Sequence, residues 1–355
     1  MLYFLLAIIL SVILTFLVSK VALHFNIVDK PGANRHLHKR TVPLLGGIAI
    51  FISFWVISFV LYFFTEFLKE DVTGNQLLFL FLGSLIIIIL GLFDDIYKVK
   101  ALNRLVISVI AVFVVMLGGI DFDGITNPLG GTIGLDFWQI SLGNFGSILV
   151  VADLLIFFWL IGMMYTTKVM DGLDGLTTGI VLIGSLLIAA IATTTKFNQP
   201  DIKILCLVFA GSLLGFLWFN FYPAKIFLGE GASMFVGLTL GFLAVVSGGK
   251  IATALLVMAV PVLDLARVMC RRIHKGKSIM EGDREHLHFK LLDLGFSHKY
   301  AVLFLYVIAL MFGLTTLIFT STFKIVALGV LFFGMIIFEI YLNKKIPSVL
   351  KELNK

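Results

Sequence analysis

Apolar residues run along this chain in long blocks, with polar positions gathered between the blocks. MLYFLLAIILSVILTFLV, IAIFISFWVISFVLYFF and FLFLFLGSLIIIILGLF are each about long enough to cross a bilayer core. The pattern places apolar spans at roughly 1–23, 44–64, 76–92, 101–118, 148–165, 174–193, 202–219, 232–248, 251–270, 299–319 and 323–343. The expected fold is an all-α polytopic membrane protein of about 11 transmembrane helices, one integral membrane domain over 1–355. The first block has no positive n-region and no small-residue cleavage pattern, so it reads as a retained span rather than a signal peptide.

Charge then gives the blocks a direction. If the spans alternate across the membrane, 21 lysines and arginines fall on one side and five on the other, with Lys20 near a span end. Basic residues collect on the cytoplasmic side, so the N-terminus is expected outside and the C-terminus in the cytoplasm. The cytoplasmic loops are then 24–43, 93–100, 165–174, 219–232 and 271–298. The segment 119–147 becomes an extracytoplasmic loop, in which alternating pieces such as TIGLDFWQI suit a short hairpin.

Composition narrows the class. Hydrophobic residues make up 60% and charged residues 14%, against about 25% charged in soluble domains, which excludes a pair of soluble domains. Cys206 and Cys270 suggest neither a disulfide framework nor a metal cluster. No basic tail or RNA-binding module points to nucleic acid, and membrane lipids are the expected surroundings.

The polar chemistry gathers at the inner face. In GLFDDIYKVK, Asp94 and Asp95 would point about 100° apart on a helix. One could then face a metal or substrate while the other acts as base or cap; plain interfacial capping balanced by Lys98 is the other reading of the pair. In KVMDGLDGL, Asp171 and Asp174 would share a face if a helix begins there. Gly172 and Gly175 clear room beside them, and Lys168 adds a cation suited to a phosphate or a lipid headgroup. In PAKIFLGEGASM, Glu230 sits between glycines just before an apolar helix. Glycine turns and helix starts receive anions, so a carboxylate there implies an intervening divalent cation. Oxygen ligands with phosphate favour Mg²⁺, with Mn²⁺ as the alternative.

Two further loops carry histidines. RRIHKGKSIMEGDREHLHFK combines Arg271, Arg272, Arg284, His286 and His288; the pattern suits either phosphate binding or an orientation-setting basic loop. DKPGANRHLHKRTVPLLGG offers Arg35 and His38 with the same two readings. Carboxylates beside glycine turns and basic loops at a membrane surface suit phosphoryl transfer from a soluble donor to a lipid phosphate. A transporter or lipid-binding protein is the alternative, though transport would favour polar residues near the bilayer midplane, and Asp153 is the only acid well inside a span.

The motifs VDKPGANRHLHKRTVPLLGG, GLFDD, MDGLDGL, FYPAKIFLGEGAS, PVLDLARVMCRRIHKGKS and GDREHLHFKLLDLG, in that order and spanning nearly the whole chain, resemble the bacterial polyprenyl-phosphate N-acetylhexosamine-1-phosphate transferases, glycosyltransferase family 4 in the broad sense. The resemblance is nearer to the enzymes that start surface glycans than to the muramoyl-pentapeptide transferase. It implies attack by undecaprenyl phosphate on the β-phosphorus of a UDP-N-acetylhexosamine, with UMP leaving and a lipid-linked sugar diphosphate formed. UDP-N-acetylglucosamine is the expected donor. The same resemblance implies Glu230 and Asp94 as metal ligands, and Asp94, Asp95, Asp171 and Asp174 as the catalytic acids. Lys168, Arg271, Arg272, Arg284, His286, His288, Arg35 and His38 become substrate-binding, and a homodimer is an expected assembly. The chain departs from the family pattern in GEGAS, where G-D-x-G-S is usual. It also departs at Tyr165 and Lys168, where asparagines are usual, and at Phe289, where a third histidine is common.

Overall fold

The computed structural model describes residues 1–30, 41–120, 122, 124–126, 132–141, 147–194, 198–248, 250–278, 285–318 and 321–353. The chain begins with α1 (Leu2–His24), α2 (Gly46–Phe64), α3 (Gly74–Tyr97) and α4 (Ala101–Met116). A strand pair precedes α2: β1 (Val28–Asp29) runs antiparallel to β2 (Val42–Pro43). Thr73 and Gln76 close the start of α3 reciprocally: the Gln76 N–H donates to Thr73 Oγ1 at 3.2 Å, and the Thr73 N–H to Gln76 Oε1 at 3.0 Å.

Between α4 and the next helix, β3 (Gly124–Thr126) pairs with β4 (Thr132–Gly134), and β5 (Gln139–Ser141) with β6 (Ser147–Leu149), both antiparallel. The stretch TIGLDFWQI gives its first residues to β4 and its last to β5. There follow α5 (Val150–Met170), α6 (Leu176–Ala192), α7 (Pro200–Asn220) and α8 (Glu230–Val246). Then come α9 (Ile251–Val257), α10 (Ala259–His274), α11 (Leu287–Asp293), α12 (His298–Ile318) and α13 (Ser321–Leu353).

The core lies around α8, whose residues from Gly231 to Val245 are all buried. It packs against α3, α5 and α6, while α7 fills the space between α6, α1 and α2. Glycines permit the closest approaches. A Cβ on Gly215 of α7 would lie 2.6 Å from the Ile8 carbonyl of α1, and one on Gly211 2.6 Å from that of Phe4. Small residues bring membrane helices together in this way because lipid supplies no hydrophobic drive between them. Aromatic rings of Phe51, Phe54, Phe209 and Phe235 interlock across α2, α7 and α8. The outward faces stay apolar, as with the exposed Ile9, Ile13 and Phe16 of α1, which is the surface a lipid environment requires.

The expectation of about 11 crossings is corrected here. Among the described residues, seven helices are long and apolar enough to cross a membrane: α1, α2, α3, α5, α7, α12 and the Thr322–Leu342 part of α13. An eighth is added if α9 and α10, bent by 75° at their junction, are one span. The remaining apolar segments, α4, α6 and α8, have 16, 17 and 17 residues. At a rise of 1.5 Å per residue they are about 24–26 Å long, short of a ~30 Å hydrocarbon core. Hydropathy marks a buried helix and a lipid-facing helix alike, and α6 and α8 are apolar because protein surrounds them. With the count corrected, opposite sides for the two termini no longer follow from parity.

Candidate functional site

Four carboxylates from three separate segments converge where α3 ends and α8 begins. Gly91 and Gly231 are in backbone contact, so a Cβ on Gly231 would lie 2.7 Å from the Gly91 Cα. This sets Glu230, the first residue of α8, against the acidic end of α3. Two hydrogen bonds hold the chain before it: the Phe227 N–H donates to the Pro43 carbonyl at 2.9 Å, and the Gly47 N–H to that of Leu228 at 2.9 Å. Gly229 takes φ +89°, and a Cβ there would lie 2.8 Å from Asp95 Oδ2, so the turn needs glycine on both counts.

Asp94 and Asp95 diverge, as adjacent helical residues must. Asp95 Oδ1 accepts the Glu230 N–H at 3.3 Å and stands at the positive end of α8. Asp94, 3% exposed, accepts from Arg104 Nη1 at 2.6 Å. The same Nη1 lies 3.8 Å from Glu230 Oε2, which also receives Lys168 Nζ. Two cations on two helices therefore share two acids, and both reach Glu230.

The DGLDG segment is a turn between α5 and α6, with Gly175 at φ +79° capping α6. The helical spacing argument for Asp171 and Asp174 thus gives way to turn geometry, and the two carboxyls meet different neighbours. Burial first, and then the charge of Glu230, push the Asp171 carboxyl up to about 8. It belongs electrostatically with Glu230 and Asp95, even though part of the residue reaches the surface. Asp174 Oδ2 accepts the Ala224 N–H at 2.9 Å, and its own N–H donates to His298 Nε2 at 2.7 Å.

The histidine motif closes over this turn. His286 Nδ1 lies 2.9 Å from Asp264 Oδ2, and the Leu287 N–H reaches both Asp264 oxygens at 3.1 Å. Arg267 Nη2 donates to Asp264 Oδ1 at 2.7 Å and to the Glu285 carbonyl at 2.6 Å. The rings of His286 and His288 lie parallel, 5.9 Å apart. His288 is buried against Gly172, where a Cβ would overlap its Nε2. Burial pushes the His288 imidazole down to about 3, so it is neutral, and its buried Nε2 lacks a hydrogen-bond partner among the described residues.

Of the remaining candidates, Arg271 Nη1 lies 3.3 Å from Glu285 Oε2, alongside Lys275 Nζ, 3.6 Å from Oε1 of the same carboxylate. Arg272 is buried at the end of α10. Arg35, His38 and Arg284 lie outside the described residues. Reading the sequence for chemistry passed over Arg104 and His298, and counted Asp264 among the inner-face acids without giving it a role. Arg104 was legible only as one of many basic residues reporting sidedness. Its place one turn inside an apolar helix, where a charge requires a partner, was the available signal.

The donor set consists of hard oxygens near phosphate-compatible cations. Among the described residues no three acid, histidine or cysteine side chains form a ready-made cage. Mg²⁺ characteristically uses one or two carboxylates and completes its shell with water and substrate phosphates, so these carboxylates suit it. Burial raises Asp171 first and the nearby acids, Glu230 foremost, raise it further; that second contribution is what a divalent cation would relieve.

Residues 77–248 match the family model described as glycosyl transferase family 4. The chain is 30% identical over 343 residues, 95% of its length and 89% of the relative's, to a probable undecaprenyl-phosphate N-acetylglucosaminyl 1-phosphate transferase of Bacillus subtilis. It is 31% identical over 81% of its length to the decaprenyl-phosphate N-acetylglucosaminephosphotransferase of Mycolicibacterium smegmatis, 74% of which is covered. To the undecaprenyl-phosphate alpha-N-acetylglucosaminyl 1-phosphate transferase of Salmonella typhi it is 27% identical over 82% of its length and 76% of the relative's. The chain belongs to the polyprenyl-phosphate N-acetylhexosamine-1-phosphate transferases of glycosyl transferase family 4, and is distinct from the muramoyl-pentapeptide type.

Proposed function

We propose that the protein transfers N-acetylglucosamine-1-phosphate from its UDP-sugar to undecaprenyl phosphate, with Mg²⁺, at the cytoplasmic face of the bacterial plasma membrane. The observation that carries this is the meeting of Lys168 and Arg104 on Glu230, with Asp94, Asp95 and Asp171 around them. Lys98 and Lys100 between α3 and α4, Arg104 in the first turn of α4 and Lys168 in the last turn of α5 lie at the same helix ends as these acids, which supports the cytoplasmic placement. The sugar is supported by the names of the three relatives, each an N-acetylglucosamine-phosphate transferase.

Glu230, with Asp94 or Asp171, would hold the metal; when bound, Mg²⁺ supplies charge neutralisation at the donor diphosphate. Arg104 and Lys168 turn from their carboxylates toward phosphate oxygens as the donor enters. An oxygen of the lipid phosphate bonds to the β-phosphorus, and the bond from that phosphorus to the UMP oxygen breaks. A phosphate monoester is largely ionised near neutral pH, so Asp94 and Asp95 contribute more by fixing positions than by removing a proton. His288, neutral and with no partner for its Nε2 among the described residues, can donate to or accept from the donor.

The test is direct. Purified protein with Mg²⁺, undecaprenyl phosphate and a panel of UDP-sugars should release UMP and form a diphosphate-linked lipid, fastest with UDP-N-acetylglucosamine. No product with any donor, where a related enzyme works, overturns the reading.

A further inference from the structure

The imidazole of His298 touches both acid-bearing turns, although no motif includes it. It stands at the first position of α12. Its Nε2 accepts the Asp174 N–H at 2.7 Å, which fixes Nε2 as the unprotonated nitrogen. The 3.9 Å approach of that nitrogen to Asp174 Oδ1 is therefore not an ion pair. The ring stacks on Tyr222, with centroids 4.5 Å apart and planes 25° from parallel. Tyr222 opens the stretch leading to Gly229 and Glu230, and two residues on, the Ala224 N–H donates to Asp174 Oδ2 at 2.9 Å. A second fastening follows on the same helix, where the Tyr306 hydroxyl donates to the Gly175 carbonyl.

We infer that His298 is a positioning residue that locks the Asp171–Gly175 turn to the Tyr222–Glu230 stretch and so fixes Asp171 relative to Glu230. The neutral imidazole satisfies an inward-facing backbone N–H that the turn cannot pair internally. Stacking on Tyr222 holds the ring plane, so that one side chain sets the spacing of two segments about 50 residues apart. Asp174 then serves the same lock with its carboxylate, and Asp171 is left as the acid of this turn that faces Glu230. Only the kinetic part of the following test rests on the proposed transferase reaction.

Two variants separate the hydrogen bond from the ring. His298→Phe keeps the stack and loses the acceptor, whereas His298→Gln restores an acceptor oxygen near the Nε2 position. In hydrogen–deuterium exchange, the segment 171–176 of His298→Phe should exchange about five- to tenfold faster than in the parent, the loss of one net hydrogen bond. His298→Gln should exchange like the parent. With UDP-N-acetylglucosamine, His298→Phe should lose about tenfold in kcat at an unchanged KM, because small misplacements of reacting groups are costly, and His298→Gln should recover most of it. Parent-like exchange and kcat in His298→Phe would overturn the inference, as would equal losses in both variants. If the parent forms no transfer product, the proposed reaction fails while the exchange measurement, which needs no turnover, still decides the lock. Should His298→Phe not be recovered folded, His298→Ala takes its place in the exchange measurement.

Discussion

Lys168 of α5 and Glu230 of α8, 62 residues apart in the chain, meet with the ammonium of one on the carboxylate of the other. Both stand at positions where the chain departs from the usual family motifs. A cation already resting on Glu230 competes with any metal for that carboxylate. It is also ready to move to a phosphate once the metal arrives.

Lys168→Ala should therefore ease metal binding and weaken donor binding. The Mg²⁺ concentration for half-maximal UMP release should fall about three- to tenfold, the partial exposure of Glu230 having been allowed for. KM for the UDP-sugar should rise in the same variant. Glu230→Gln should instead lower kcat about 100-fold through lost charge stabilisation. An unchanged metal requirement in Lys168→Ala would show that the two cations do not compete.

The Asp94–Arg104 pair is nearly buried, with side-chain exposures of 4% and 20%. Removing one partner strands the other charge, so Arg104→Ala should cost about 3 kcal/mol of stability, read as a lower melting temperature in detergent. Adding Asp94→Asn to that variant should return part of the loss. A double variant no more stable than Arg104→Ala would argue against the pairing.

The Asp171 carboxyl, raised from 3.8 to about 8, makes a pH prediction. Between those values the folded protein binds the proton that the unfolded chain has released. This group's contribution to stability accordingly falls as pH rises through that window. In metal-free buffer the melting temperature should drop as pH rises from 3.8 toward 8, less steeply in Asp171→Asn, and added Mg²⁺ should flatten the parent's slope. Equal slopes for the parent and Asp171→Asn would contradict the assignment.

Gly91→Ala places a methyl group into the backbone of Gly231. Neither helix can yield without moving Glu230 from Asp95. A loss of about 1–3 kcal/mol is expected from overpacking, together with a fall in kcat larger than that of a surface alanine on α3. Normal activity in a folded Gly91→Ala variant would mean that the contact between α3 and α8 does not set the acids' spacing.

Sequence alone determined that the chain is a helical membrane protein, that its acids sit beside glycine turns, and which family it belongs to. Those features are local: hydropathy blocks, GLFDD, MDGLDGL and GEGAS can be read without knowing what lies opposite them. Tertiary structure decided what locality cannot carry. Among the described residues it reduced the crossings to seven or eight, because α4, α6 and α8 are too short to span lipid, α6 and α8 being apolar from packing in protein. It turned Asp95 onto the start of α8 and Asp94 onto Arg104, and bound Asp174 to Ala224 and His298. Each of these pairings except Asp94–Arg104 joins segments at least 50 residues apart, and each follows from helix packing geometry, which no short window of sequence contains.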